Sequence, residues 1–296
     1  MPRISPRILK SVANIDRRLP YLLFECSGNI SDAKQELSWI NNELQDANLI
    51  NKACWLRYNR VPLQYILKTQ PFGPLDLLVR PGVLIPRWET EEWCMDLIAK
   101  LPDKTRQGRF KVLDLCSGSG CIALAIAHTR PEYIVKSVDL SPKAIALLKD
   151  NVRKVGLQNT DVQCVQADIL RYSEHIYSKD KFNLITCNPP YIPSNNFVKE
   201  CTTSVKMYEP RLALVADLEF YDNLLQYWIP RTESFVYEVG DMKQCQHVIN
   251  GLSHNTSWKT GIKYDSNDKP RCVYGHLANP ESNIDYVKIF DSFSTR

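Results

Sequence analysis

From Lys111 onward the chain alternates between short apolar runs and helical patterns, and this alternation restricts its fold more than any other feature. The apolar runs are KVLDL, IVKSVDL, VQCVQADI, FNLITCN and SFVYEVG. Cys121 to His128, Pro142 to Val155 and Phe220 to Trp228 carry helical spacing between them. Strands that are apolar throughout and separated by helices belong to parallel sheets covered on both faces. Two later runs, SWKTGIKYD and RCVYGHLA, flank the turn-forming SNDKP and predict a terminal antiparallel hairpin. The expected fold is therefore α/β and Rossmann-like, with a mostly parallel seven-stranded sheet and a C-terminal antiparallel hairpin.

Upstream the pattern changes. Between Ile15 and Tyr58, Leu37, Ile40, Leu44, Leu49 and Ala53 recur at near-helical spacing, with Ser31 and Asp32 as the expected cap. Prolines and glycines then punctuate short β-rich runs up to Pro86, which predicts a hairpin, and Glu91 to Leu101 again reads as a helix. We therefore expect a helical domain over 1–68, a β-hairpin linker over 69–90 and the α/β domain over 91–296. The first eighteen residues carry Arg3, Arg7, Lys10, Arg17 and Arg18 against one acid, Asp16, with Ser5 and Ser11. Such a segment reads equally as a mitochondrial transit-like start or as the solvated beginning of the helical domain.

A net charge of +4 over 296 residues falls short of the concentrated positive field of a dedicated nucleic-acid binder. The ten cysteines contain no C-x-x-C pair and the five histidines are scattered, so neither a metal site nor disulfides are expected. No apolar run approaches the roughly 20 residues that cross a bilayer.

The segment VLDLCSGSGCIALAIA is a strand, a small-residue loop and a helix start. Gly118 and Gly120 permit close approach of a ligand to the backbone, and the helix start offers free N–H groups. A dinucleotide fingerprint is absent, and Asp114 stands at the strand end instead. A carboxylate there would repel pyrophosphate but suits a cationic amino-acid group, such as the ammonium of S-adenosylmethionine. Asp139 ends the next strand, where it can accept from ribose hydroxyls. Asp168 ends the third, where it can accept from an adenine amino group. Each acid alone could be a helix cap or a solvated loop residue. In series at successive strand ends they converge on one crevice.

The fourth strand ends in Asn188, Pro189, Pro190 and Tyr191. A planar amino group is a poor nucleophile because its lone pair is delocalised, so orientation must supply much of the rate of any transfer to it. The side-chain carbonyl of Asn188 and the backbone carbonyl of Pro189 can each accept one N–H. The prolines fix the turn, and Tyr191 offers a ring to a flat substrate. Such a tetrapeptide could also be a simple proline turn. By itself it does not separate adenine, cytosine, guanine and glutamine amides as substrates.

These pieces, with LIPRWETE, YEPRLAL and DSNDKPRCVYGH, resemble the release-factor glutamine methyltransferases, the HemK/PrmC family, from about Tyr58 to the C-terminus. The resemblance implies transfer of a methyl group from S-adenosylmethionine to the N5 amide of the glutamine in the GGQ motif of a class I peptide-chain release factor. It implies that Cys116, Ser117, Gly118, Ser119, Gly120, Asp139, Ile169 and Asn188 contact the cofactor, with Asp114 and Asp168 from the strand ends. It also implies that Asn188 to Tyr191 hold the glutamine, and that Arg87, Glu89 and Thr90 lie near the cofactor mouth. Cys116 stands where the family usually has glycine, and a slightly altered backbone is expected there. The segment IPRTESF lacks the usual glycine pair, which leaves that loop's shape open. By that resemblance, retention of the helical domain leaves a mitochondrial or bacterial enzyme, and the ten cysteines with the basic start favour a mitochondrial, matrix-located one over a cytoplasmic one. A monomer without direct nucleic-acid or membrane contact is expected. The rivals are a nucleic-acid amino-methyltransferase, acting on adenine N6 or guanine N2, and a non-catalytic cofactor-binding subunit.

Overall fold

The computed structural model describes residues 4–103, 108–171 and 181–294, so Arg3 of the basic start lies outside the described residues. The chain divides into two compact units, one comprising Met1–Thr69 with Cys201–Glu209 and the other Gln70–Glu200 with Pro210–Arg296. The second break was not visible in the sequence. Residues 201–209 are polar and short, and nothing in their pattern separates them from the α/β region that surrounds them.

The first unit is built from α1 (Pro6–Ile15), α2 (Leu19–Leu23), α3 (Ile30–Leu44), α4 (Ala47–Tyr58) and α5 (Leu63–Leu67), with a short helix Thr203–Tyr208. Val12, Leu22, Leu23, Ala33 and Ile40 are fully enclosed in its core. The basic start is thus helical and packs Val12 and part of Leu9 into this core, while Ile8 and Ile15 stay exposed. The cap of α3 is Asn29, whose side chain accepts from the Ser31 and Asp32 amides, in place of the expected Ser31 and Asp32. Leu49, expected inside, is exposed because Ile50 and Ala53 take the inward face of α4. Arg57 is buried in a bidentate pair with Glu36, which satisfies a charge that would otherwise be costly to enclose.

The second unit opens with β1 (Thr69–Phe72) and β2 (Leu75–Leu78), a two-stranded sheet whose two-residue connection permits only antiparallel pairing. The main sheet holds β3 (Lys111–Leu115), β4 (Ile134–Asp139), β5 (Asp161–Gln166), β6 (Leu184–Cys187), β7 (Ser234–Glu238), β8 (Trp258–Tyr264) and β9 (Pro270–Leu277). Their order is β5-β4-β3-β6-β7-β9-β8. The first five strands pair in parallel, and β9 joins β7 and β8 in antiparallel fashion, in keeping with the expected fold.

Alternation along the central strands sorts side chains onto two cores. Val112, Leu184 and Val236 face α6 (Trp88–Lys100) and α7 (Cys121–Thr129), while Leu113, Ile185 and Phe235 face the opposite layer. Helix α7 is enclosed from Cys121 to Ala127, which explains why its sequence shows almost no polar face. Leu63–Leu67, in a stretch expected to be β-rich, is helical, and two longer helices of the second unit also escaped the sequence reading, α9 (Met242–Leu252) and α10 (Tyr286–Ser294), both following α8 (Pro142–Lys154) in chain order. The expected helix Phe220 to Trp228 is one turn of α-helix, Glu219–Asn223, that widens into a π turn, Leu224–Trp228. Strand order reverses between β3 and β6, so the carboxyl ends of β3, β4, β5 and β6 border one crevice at the switch point.

Candidate active site

A cavity of about 310 Å³ occupies this crevice. Its lining includes Cys116, Ser117, Gly118 and Ser119 from the loop after β3, together with Asp139, Asp168 and Ile169. Asn188, Pro190, Arg87 and Thr90 also reach it. Of the residues singled out in the sequence, Asp114, Gly120, Glu89 and Pro189 do not line it. Tyr191 borders a smaller neighbouring cavity that Asn188 and Arg87 share.

The loop is fixed by its own backbone and by its neighbours. The Ser117 amide donates to Val138 O at 3.1 Å, and the Ser117 hydroxyl donates to Asp114 O at 2.8 Å. Asn151 of α8, which the sequence reading passed over, is fully buried and donates from Nδ2 to Ser119 O at 2.9 Å while its Oδ1 accepts from Leu78 N at 2.7 Å. Gly120 is the N-terminal cap residue of α7. Gly118 has φ +56, and a Cβ added there would meet no protein atom within 4 Å. The space above Gly118 is therefore left open for a ligand. Cys116 has φ 55, so it keeps the left-handed conformation that glycine adopts readily. An L side chain holds that conformation at a strain of about 1 kcal/mol.

Both oxygens of Asp139 are engaged by backbone amides, Oδ2 by Gly118 N and Oδ1 by Ser141 N, each at 2.8 Å. Carboxylate oxygens each carry a second acceptor position, so Asp139 can still receive ribose hydroxyls. Asp168 accepts from Leu170 N at 3.0 Å and stands 3.4 Å from Arg171 Nε. Asp114 is wholly buried beneath the loop. Its Oδ1 accepts from the Thr186 hydroxyl at 2.8 Å, and its Oδ2 has no hydrogen-bond partner among the described residues. Burial pushes its carboxyl up to about 7, although the hydroxyls of Thr186 and Ser117 favour the ionised form. An open cradle over Gly118, acids at three strand ends and one buried oxygen without a partner suit a ligand with a cationic end and a ribose, as S-adenosylmethionine has.

On the other side of the crevice, Asn188 Nδ2 donates to Thr90 Oγ1 at 3.0 Å. Thr90 donates in turn to Glu238 Oε2 at 2.7 Å, and Trp93 Nε1 donates to the same oxygen at 2.8 Å. The Tyr191 hydroxyl reaches Glu238 Oε1 at 3.3 Å, and Gln244 Nε2 donates to Tyr191 O at 2.8 Å. Glu238 and Gln244 went unremarked in the sequence. A single acid inside the strand SFVYEVG was the available signal, because a carboxylate within an otherwise apolar run needs buried donors.

Residues 95–205 match the model of the methyltransferase small domain. The chain is 42% identical to the mitochondrial MRF1 N(5)-glutamine methyltransferase MTQ1 of Saccharomyces cerevisiae, across 100% of this chain and 95% of that protein. It is 34% identical to a probable MRF1 mitochondrial N(5)-glutamine methyltransferase of Schizosaccharomyces pombe, across 90% of this chain and 95% of that one. The chain belongs to the release factor glutamine methyltransferase family. Like its other members, it is an S-adenosylmethionine-dependent methyltransferase. Its fold is shared more widely: the N-terminal domain of human METTL16 in complex with SAH superposes with a TM-score of 0.52 at 13% identity, covering 83% of this chain and 95% of that one.

Proposed function

We propose that the chain methylates N5 of the glutamine in the GGQ motif of a class I release factor in the mitochondrial matrix, acting as a monomer without direct nucleic-acid contact. The observation that carries this reading is the state of Asn188. Its Nδ2 is committed to Thr90, and no described residue hydrogen-bonds its Oδ1 at the edge of the cavity. An amide held that way offers an acceptor to a planar NH₂ group and no donor.

S-adenosylmethionine supplies an electrophilic sulfonium methyl group. The loop Cys116–Gly120 and Asp139 would hold it, with Asp168 and Ile169 at its far end and Asp114 providing negative charge from below the loop. Asn188 Oδ1 and Pro189 O each accept one N–H of the glutamine amide, which turns the nitrogen lone pair toward the methyl group. Both carbonyls stabilise positive charge as it grows on nitrogen, and the nitrogen sheds its extra proton afterward. Tyr191, fixed at its hydroxyl and its carbonyl, packs beside the amide plane.

The helical unit is the docking element in this reading. Tyr58 stacks edge-on with Tyr21 and Phe24, at ring separations of 5.8 and 5.4 Å, and all three rings are exposed. Exposed aromatic clusters of this kind are enriched at protein interfaces. Identity over nearly the full length to proteins named MRF1 N(5)-glutamine methyltransferases, and over about half or more of the length of release factor glutamine methyltransferases, supports this substrate over adenine or guanine. The test is incubation of the full chain with labelled cofactor and a mitochondrial release factor. Label on the GGQ glutamine, and none on a factor with that glutamine replaced by alanine, is expected. Label on nucleic acid, or undiminished label on the alanine factor, overturns the proposal.

A further inference from the structure

Thr90 and Glu238 have no assigned part in the reaction, yet the polarity of their contacts determines which end of the Asn188 amide reaches the substrate. An asparagine amide can flip by half a turn at little steric cost, and the two orientations are opposite in function. With Oδ1 toward the crevice it accepts from a glutamine amide. With Nδ2 toward the crevice it repels the same N–H.

Three bonds remove the choice. The indole of Trp93 can only donate, so the Glu238 oxygen at 2.8 Å from it must accept. Thr90 has one hydroxyl proton, and it goes to that same oxygen at 2.7 Å. Only lone pairs remain on Thr90 for Asn188 at 3.0 Å, so Asn188 must present its N–H₂ there and its carbonyl elsewhere. The second oxygen of Glu238 meets the Tyr191 hydroxyl, so one buried carboxylate orients both the acceptor and the ring. Glu238 is fully enclosed.

We infer that Thr90 and Glu238 are positioning residues for methyl transfer, which lock Asn188 with its carbonyl toward the substrate nitrogen. The inference rests on the glutamine-methyltransferase reading and adds to it the device that makes Asn188 an acceptor.

The test uses the full chain, a release factor and labelled cofactor, with turnover and cofactor affinity measured separately. Thr90→Val keeps the shape and removes the hydroxyl. It should lower kcat on the order of 10²-fold, the effect of a misaimed reacting group, with cofactor Kd and melting temperature close to those of the parent. Thr90→Ser should restore turnover. Thr90→Ala, which leaves space in place of a methyl group, should show the same loss if the valine variant folds poorly. In an Asn188→Ala background Thr90→Val should cost nothing more, because the group it aims is gone. Parent-like kcat in both Thr90→Val and Thr90→Ala, with Asn188→Ala inactive, overturns the positioning role and leaves the parent reading standing. Full additivity of the double variant also overturns it. An active Asn188→Ala protein overturns the parent reading itself.

Discussion

The two walls of the crevice are held together differently. On the cofactor wall most bonds that fix the loop span few positions: Asp139 accepts from an amide two residues away and from another 21 residues away, and Ser117 bonds a carbonyl three residues away, with Asn151 the exception at 32 and 73 positions. On the substrate wall Thr90 meets Asn188 across 98 positions and Glu238 across 148. Backbone amides engage the first wall, and side chains converging on one buried carboxylate engage the second. A wall made of backbone tolerates side-chain change outside its glycines and acids. A wall made of a side-chain network fails as a unit.

Four substitutions sharpen this contrast, ordered by their expected effect on methyl transfer. The largest belongs to Asn188→Ala, which removes an acceptor that acts as charge develops. Turnover should fall on the order of 10²- to 10³-fold, with cofactor Kd moved by no more than a small factor. Calorimetry and single-turnover kinetics separate the two. An equal loss in both would mean that the walls are not independent.

Asp139→Ala should act in reverse. It deletes the carboxylate that holds Gly118 N and Ser141 N and that would receive the ribose, and bonds to a charged group contribute about 1.5–3 kcal/mol. Cofactor Kd should rise roughly 10- to 100-fold while kcat at saturating cofactor stays near that of the parent. Unchanged affinity by calorimetry would remove the ribose from this position.

Gly240→Ala tests the substrate wall from behind. A Cβ there would stand 2.8 Å from Tyr191 Cδ2, so the ring must move. Turnover should fall about tenfold through the displaced aromatic edge, with cofactor affinity unchanged. A crystal structure of the variant with Tyr191 in place would sink this account.

The same contrast explains what the sequence could and could not reveal. The cofactor wall was legible because strand, small-residue loop and acid fall within a few positions, and each strand end repeats the arrangement. The parallel sheet followed from apolar runs separated by helices, while its strand order did not. Asn188 was legible as a motif, but the partners that aim it were not, since nothing local in WETEEW or VYEVG records that Thr90 and Glu238 meet. Asp114 was expected to face the ligand and instead lies beneath the loop. Strand alternation puts Leu113 and Leu115 on one core and turns Asp114 the other way, toward Thr186. Helix α9 was missed because Gln244 interrupts its apolar face, although Gln244 is buried by its bonds to Tyr191 and Gly240.

Asp114→Asn concerns stability more than rate, and its sign is fixed by the direction of the pKa change. Burial raises the carboxyl from its ordinary value near 3.8 to about 7 in the folded chain. Between these values the folded state binds more protons than the unfolded state, so stability falls as pH rises from about 4 to about 7. The amide carries no charge to enclose, and its oxygen can still accept from Thr186. The variant should therefore melt at the parent's temperature near pH 4 and a few degrees above it at pH 7.5. Its turnover at saturating cofactor should be nearly unchanged, while its cofactor affinity should weaken, because an amide nitrogen replaces the partnerless oxygen that favours a cation. Melting curves across pH 4–8, with and without cofactor, check both halves. A variant no more stable than the parent at pH 7.5 would mean that Asp114 is ionised at little cost. The strain stored beneath the cofactor loop would then have to lie at Cys116 alone.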